Sequence, residues 1–255
     1  MITRKGSLKP NDVPIDVLNQ LNSGVIETVN LSECLAVDFA TLMEHVVPEL
    51  TSVAKSRIQL SDGITKRMAA AGKLLLEHLG SEHFQYLASH PSDSVRGWAA
   101  YMIASIPDLS LAQRLNLIRP LANDNHFGVR EWSWLALRPY IADQIHDAVQ
   151  LLIAWVGEKS PNLRRFAIEG TRPRGVWCSH IPELKENPEI GLPLLEPARA
   201  DVSRYVRDSV SNWLNDAAKS RPEWVQIVCA RWQLESDAPE TIKLCARALR
   251  SLKTK

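Results

Sequence analysis

Cysteine is scarce and scattered. Cys34, Cys178, Cys229 and Cys245 form no Cys-x-x-Cys pair and have no histidine at zinc-ligand spacing, so no metal site is expected. The seven histidines include no His-Glu-x-x-His helix, and the chain has neither a Gly-x-Gly-x-x-Gly fingerprint nor a phosphate-loop Gly-Lys-Ser/Thr, so no nucleotide cofactor is expected either. Long apolar runs are missing. Stretches such as Val149 to Val156 fall far short of the roughly 20 residues a membrane-spanning helix needs. The bases at Arg4, Lys5 and Lys9 have no apolar core behind them, which argues against a secretory or transit segment and for a cytoplasmic protein. A dominant charge is absent too. Across 255 residues, 30 bases nearly cancel 29 acids, so any affinity for nucleic acid must be local. With 45% hydrophobic residues, the chain is long enough to bury a core without covalent staples.

What is present is a repeat. An aliphatic residue followed by a base recurs at Val95-Arg96, Val129-Arg130, Leu163-Arg164, Val206-Arg207 and Ile242-Lys243, in steps of 34, 34, 43 and 36 residues. Each marker opens a segment of helical period, such as Val129, Trp132, Leu135 and Ala136, and a second helical segment precedes it, such as Leu111 to Leu121 or Ala148 to Val156. Strand-type alternation is nowhere sustained. The fold expected is all-α: a right-handed HEAT-like solenoid with a concave basic groove, spanning residues 63–255 behind an N-terminal helical cap, residues 1–62, within a single domain. An acid stands six residues before each later marker base: Asp124, Glu158, Asp201 and Asp237. These predict a ladder in which a turn-borne carboxylate reaches the base of the following helix.

Three departures from the repeat point to function rather than scaffold. Residues 160–255 hold sixteen bases against twelve acids, whereas residues 63–159 hold nine of each. Within 160–175, Arg164, Arg165, Arg172 and Arg174 face Glu169 alone. The 43-residue step contains Thr171-Arg172-Pro173-Arg174-Gly175-Val176-Trp177-Cys178-Ser179-His180, and its prolines predict a helix end near Thr171. Finally, Glu131 lies two residues past its marker aliphatic and Glu169 six past the next, a difference of four that would set both on one face of equivalent helices. Two carboxylates beside a basic patch suit chemistry on a cationic centre flanked by anions.

The strings His126-Phe127-Gly128-Val129-Arg130-Glu131-Trp132 and Arg164-Arg165-Phe166-Ala167-Ile168-Glu169, with Arg172-Pro173-Arg174-Gly175-Val176-Trp177, resemble the HEAT-repeat DNA alkylation repair glycosylases, more closely the AlkC branch than AlkD. The resemblance runs from about residue 60 to the end. It implies a bacterial monofunctional glycosylase that excises N3- or N7-alkylated purines from double-stranded DNA, without a cofactor or a deep base pocket. It also implies that Glu131 and Glu169 are the active-site acids and that Trp177 packs against the lesion. The AlkD-type Trp with Asp four residues later is missing, since Trp132 leads to Ala136 and Trp134 to Arg138. No β tail of the kind some AlkC relatives carry is expected after the solenoid.

The chemistry fits those residues. An alkylpurine cation is already a good leaving group, so the enzyme's task is to stabilise the sugar cation and deliver water. Glu169 is assigned to water and Glu131 to the cation, an order that could be reversed. Trp132, Trp134 and His180 are lesser candidates for touching the lesion, and Cys178 and His180 are not read as nucleophiles. Backbone contacts are expected from Arg130, Arg164, Arg165, Arg172, Arg174, Arg204 and Arg207, although the ladder offers Arg130, Arg164 and Arg207 a structural role. The protein is expected to act as a monomer. The alternative is a non-catalytic HEAT module that binds DNA or a protein through the same groove.

Overall fold

The computed structural model describes residues 4–252, and every regular element among them is helical. Residues 1–3 of the basic N-terminal stretch lie outside the described residues. Up to Ala136 the chain forms one compact unit and from Leu137 onward another, the division falling inside a continuous helix.

The first unit starts with four short helices, α1 (Ile15–Asn22), α2 (Leu31–Ala36), α3 (Phe39–Val46) and α4 (Thr51–Arg57). Local chemistry fixes two of their starts. The Asn30 side chain accepts from the Glu33 amide, and the Asp38 carboxylate accepts from the Ala40 and Thr41 amides. Next come α5 (Ile64–Leu79), α6 (Phe84–Ala88), α7 (Asp93–Ser105), α8 (Leu111–Ala122) and α9 (Phe127–Asp143). Ser110 and Gln113 close a reciprocal capping box at the start of α8. The fully buried Trp98 of α7 meets the edge of Phe39 at 5.3 Å. Buried Asp93 accepts from the Thr28 amide (2.9 Å) and hydroxyl (2.8 Å), and His126 Nε2 lies 2.7 Å from the Thr28 carbonyl. These bonds tie the N-terminal segment to the starts of α7 and α9.

The second unit holds the end of α9, then α10 (Ile145–Val156), α11 (Pro161–Gly170), α12 (Pro182–Glu186), α13 (Leu192–Leu195), α14 (Arg204–Ala218), α15 (Pro222–Glu235) and α16 (Pro239–Ala248). Proline stands first in α11, α12, α15 and α16, where its missing N–H costs nothing. The core gathers Trp213, Trp232, Leu184, Leu194, Leu195 and Leu214, all buried. Each aliphatic among them contributes about 1.5–3 kcal/mol relative to exposure.

The marker bases do form a ladder, but with the opposite connection to the one expected. Each guanidinium donates to two carbonyls of the turn before its own helix: Arg96 to His90 and Pro91, Arg130 to Asp124 and Asn125, Arg164 to Glu158 and Lys159, and Arg207 to Asp201 and Val202. The turn carboxylate takes the arginine of the preceding marker instead. Asp124 pairs with Arg96 at 2.9 Å and Asp201 with Arg164 at 2.6 Å. The physical reason is that carbonyls already fill the near side of each guanidinium and leave its Nε edge for the next turn. At the last step the ladder stops. Asp237 is exposed, and among the described residues no ion pair or hydrogen bond joins it to Arg207 or Lys243.

Candidate functional site

Helix α11 begins with Ser160, whose hydroxyl accepts from the Asn162 amide at 3.2 Å, and it ends at Gly170, as Pro173 requires. Its last turn carries Glu169, a poor place for an anion because the helix C-terminus is itself the negative end of the dipole. Three neighbours compensate. Glu169 Oε2 accepts from Arg172 Nη1 at 3.1 Å, Oε1 accepts from the Ser209 hydroxyl at 2.6 Å, and Arg165 Nη2 lies 3.5 Å away. Burial pushes the Glu169 carboxyl up, but Arg165, Arg172 and the Ser209 hydroxyl together hold it below the usual carboxylate range. It is a fixed negative charge, only 3% exposed.

Arg172, expected among the backbone contacts, has acidic partners outside the ladder. Its Nε and Nη2 both donate to Asp216 Oδ2, at 2.9 and 2.7 Å, so one guanidinium bridges two buried carboxylates. Asp216 also pairs with Lys219 at 3.1 Å. Sequence reasoning missed Asp216, which lies 44 residues from Arg172 and carries no repeat signal. Arg174 likewise has local acceptors, the Asp216 carbonyl at 3.3 Å and the Ser220 hydroxyl at 2.7 Å. Arg165 stacks its guanidinium 4.3 Å above the Tyr205 ring.

The loop after α11 is closed by the Ile181 amide donating to the Pro173 carbonyl at 3.0 Å. Arg138, near the end of α9 and 2% exposed, reaches into it. Its Nη1 donates to Gly170 O (3.1 Å), Nη2 to Arg172 O (2.6 Å) and Nε to Ser179 O (3.1 Å). Nothing in the repeat marks Arg138, so its role was not legible in the sequence. Gly175 is fixed by contact, because a Cβ there would lie 2.0 Å from Cys178 Sγ. Between them the loop presents Trp177, 45% exposed, with φ at 62°, a left-handed conformation that costs a bulky residue about 1–2 kcal/mol. Burial pushes the Cys178 thiol up against the opposing charges of Arg138 and Arg172, so it is no thiolate at neutral pH. Desolvation and the charges of Arg174, Lys185 and Arg138 hold the exposed His180 below its ordinary value, so it is neutral there.

The remaining expected residues have other partners, each within its own unit. In the first unit, Glu131 is half-buried on α9 and its Oε2 accepts from Trp134 Nε1 at 2.9 Å. Trp132 and Trp134 are 2% and 5% exposed, which corrects their reading as lesion contacts: Trp132 packs where Gly97 lacks a side chain, 2.7 Å from the position of a Cβ. In the second unit, Arg204 projects into solvent with Asp208 at 3.6 Å, while Arg164 is held by Asp201. Among the described residues no group of three or more His, Cys, Asp or Glu could hold a metal ion, and no helix is long and apolar enough to cross a membrane.

No family model matches the chain. Bacillus subtilis YhaZ is 34% identical over 147 residues, which are 58% of this chain and 40% of YhaZ. The structure of Pseudomonas fluorescens alkylpurine DNA glycosylase AlkC, bound to DNA containing an abasic site analog, superposes with a TM-score of 0.66 at 26% identity. That match covers 87% of this chain and 62% of the AlkC chain, so this chain spans under two thirds of both relatives. AlkD2 from Streptococcus mutans, at 24% identity and a TM-score of 0.62 over 82% of this chain and 98% of its own, shares the fold. The structural neighbours are thus AlkC and AlkD-type proteins, in agreement with the resemblance read from the sequence.

Proposed function

We propose that this chain is a DNA glycosylase that hydrolyses the N-glycosidic bond of cationic N3- or N7-alkylpurines, such as 3-methyladenine, in double-stranded DNA, as a step of base excision repair. The observation that carries the reading is the exposed Trp177, held in a left-handed conformation on the loop that leaves the helix of the ionised Glu169. The likeness to an AlkC structure bound to abasic-site DNA supports it.

In this reading the cationic base departs without strong protonation, and the protein stabilises the sugar cation left behind. Glu169 suits that task better than proton uptake. A general base works best with a pKa near the working pH, whereas the Arg172 and Arg165 contacts keep Glu169 firmly ionised. The two acids thus exchange the roles expected from the sequence: Glu169 supplies fixed negative charge and Glu131 handles water. Trp177 contacts the lesion nucleotide, and the protein needs no cofactor and acts as a monomer.

A non-catalytic DNA-binding module is the second reading, favoured by the engagement of both Glu169 oxygens. One assay separates them: release of methylated bases from N-methylated duplex DNA at excess protein, beside a no-enzyme control for spontaneous depurination. The expected result is release of 3-methyladenine above the control, reduced on the order of 10²-fold in Glu169→Gln and in Glu131→Gln with DNA binding retained. No release by a helical, DNA-binding protein would leave only the module.

A further inference from the structure

The place where the ladder stops is also where a cleft opens. Arg96 and Arg164 each have their turn carbonyls on one nitrogen and a carboxylate on the others. Arg207 keeps the carbonyl half of that pattern but has no carboxylate among the described residues, so its Nε and Nη2 donors have no protein acceptor there. Lys243, the next marker base, is exposed and has no ion pair or hydrogen bond among the described residues. Both residues line a cavity of about 400 Å³ between α14 and α16, together with Arg204, Arg247, Asp208 and Glu240. Asp208 is already held by Arg247 at 2.7 Å, with Arg204 at 3.6 Å. Four bases therefore face two acids, one of which is neutralised.

We propose that this cleft holds backbone phosphates of the DNA strand, with the Nε edge of Arg207, Lys243 and Arg204 as the donors. The proposal rests on the DNA reading above and names the part of the protein that grips the strand. The chemistry favours a phosphodiester. The edge of Arg207 that its counterparts turn to a two-oxygen carboxylate matches two phosphate oxygens equally well. The bases around it are too exposed to retain a lone small anion, whereas a polymer returns one phosphate after another. The position also fits. Asp208 and Asp216 are eight residues apart on α14, about 12 Å along the helix, so the cleft lies within a few nucleotides' reach of the Arg172 bridge. Arg250 continues the basic line beyond Arg247, with one nitrogen on Asn212 Oδ1 at 3.1 Å.

The test is the salt dependence of binding to a duplex with a non-cleavable abasic-site analog, followed by fluorescence anisotropy between 50 and 200 mM NaCl. The variant is Arg204→Gln with Lys243→Gln. Their charged heads carry no buried bonds, whereas Arg207 also supports the turn before α14. Each phosphate contact contributes about 0.9 to the slope of log K against log salt, so the double variant should be shallower by about 1.8. Over that fourfold range of salt the wild type should lose roughly 12-fold more affinity than the variant. Lys66→Gln with Lys73→Gln, in the other unit, is the control and should leave the slope unchanged.

An unchanged slope in the cleft variant, with wild-type binding and base release intact, overturns the cleft and leaves the glycosylase reading standing. Failure of the wild-type protein to bind duplex DNA at all overturns both. A third arm titrates inorganic phosphate at constant ionic strength. Saturable phosphate binding lost in the variant, with the DNA slope unchanged, would assign the cleft to a small free anion and overturn the proposal.

Discussion

Replacing Arg172 with leucine tests the bridge at the centre of the candidate site. The substitution removes three charge-assisted hydrogen bonds, one to Glu169 and two to Asp216, and leaves both carboxylates almost fully buried. At about 1.5–3 kcal/mol each, the bonds alone would total more than breaking a buried ion pair usually costs, about 3–5 kcal/mol. The lower figure applies because partners remain: Ser209 and Arg165 on Glu169, and Lys219 on Asp216. We expect about 4 kcal/mol at pH 7.5, or on the order of 8–16 °C in Tm for a chain of this size.

The sign of the pH dependence is the sharper part. In the wild type the Glu169 carboxyl lies below its ordinary value, so its contribution to stability is full above that value and is lost as pH falls through the folded-state value. Without Arg172, burial faces less opposition, the carboxyl moves up, and protonation relieves the folded state. The stability gap between wild type and variant should therefore narrow as pH is lowered from 7.5 towards 4.5. Urea unfolding followed by circular dichroism at several pH values measures this. A gap that stays constant or widens would refute the account of Glu169 as an anion held by Arg172.

Two further outcomes follow from the packing. Asp201→Ala removes the carboxylate that pairs with Arg164 and should cost about 3–5 kcal/mol in urea unfolding, whereas Asp237→Ala, where the ladder is broken, should change stability by less than about 0.5 kcal/mol. Gly175→Ala forces a methyl group against Cys178 Sγ and should cost about 1–3 kcal/mol, with most of the loss recovered when Cys178→Ala is added; equal Tm values for the single and double variants would show that the contact is not the cause.

The helices and repeat units were legible because they rest on local rules. The marker arginines recur because each turn presents two carbonyls, and those carbonyls come from the residues six and five positions before the arginine. The end of α11 followed from Pro173. The candidate site was legible in part. Glu169 and Arg172, three residues apart, were both singled out, and Trp177, singled out through the resemblance, is exposed. Long-range partners were not legible. Asp216 meets Arg172 only through the packing of α14 on α11, and Arg138 reaches its carbonyls 32 to 41 residues away. Asp237 shows the converse: it keeps the spacing of the ladder acids without their contact.

The Arg138 contacts bear on how readily Trp177 meets a ligand. An exposed loop usually sacrifices conformational entropy when it docks, about 1–2 kcal/mol for each backbone residue that becomes fixed. Here a single buried guanidinium holds the carbonyls of Gly170 and Arg172 at one end of the insertion and of Ser179 at the other. The ordering of that segment is thereby a by-product of folding, with the left-handed backbone at Trp177 already set; in the function proposed above, recognition at Trp177 would be closer to lock-and-key than to induced fit.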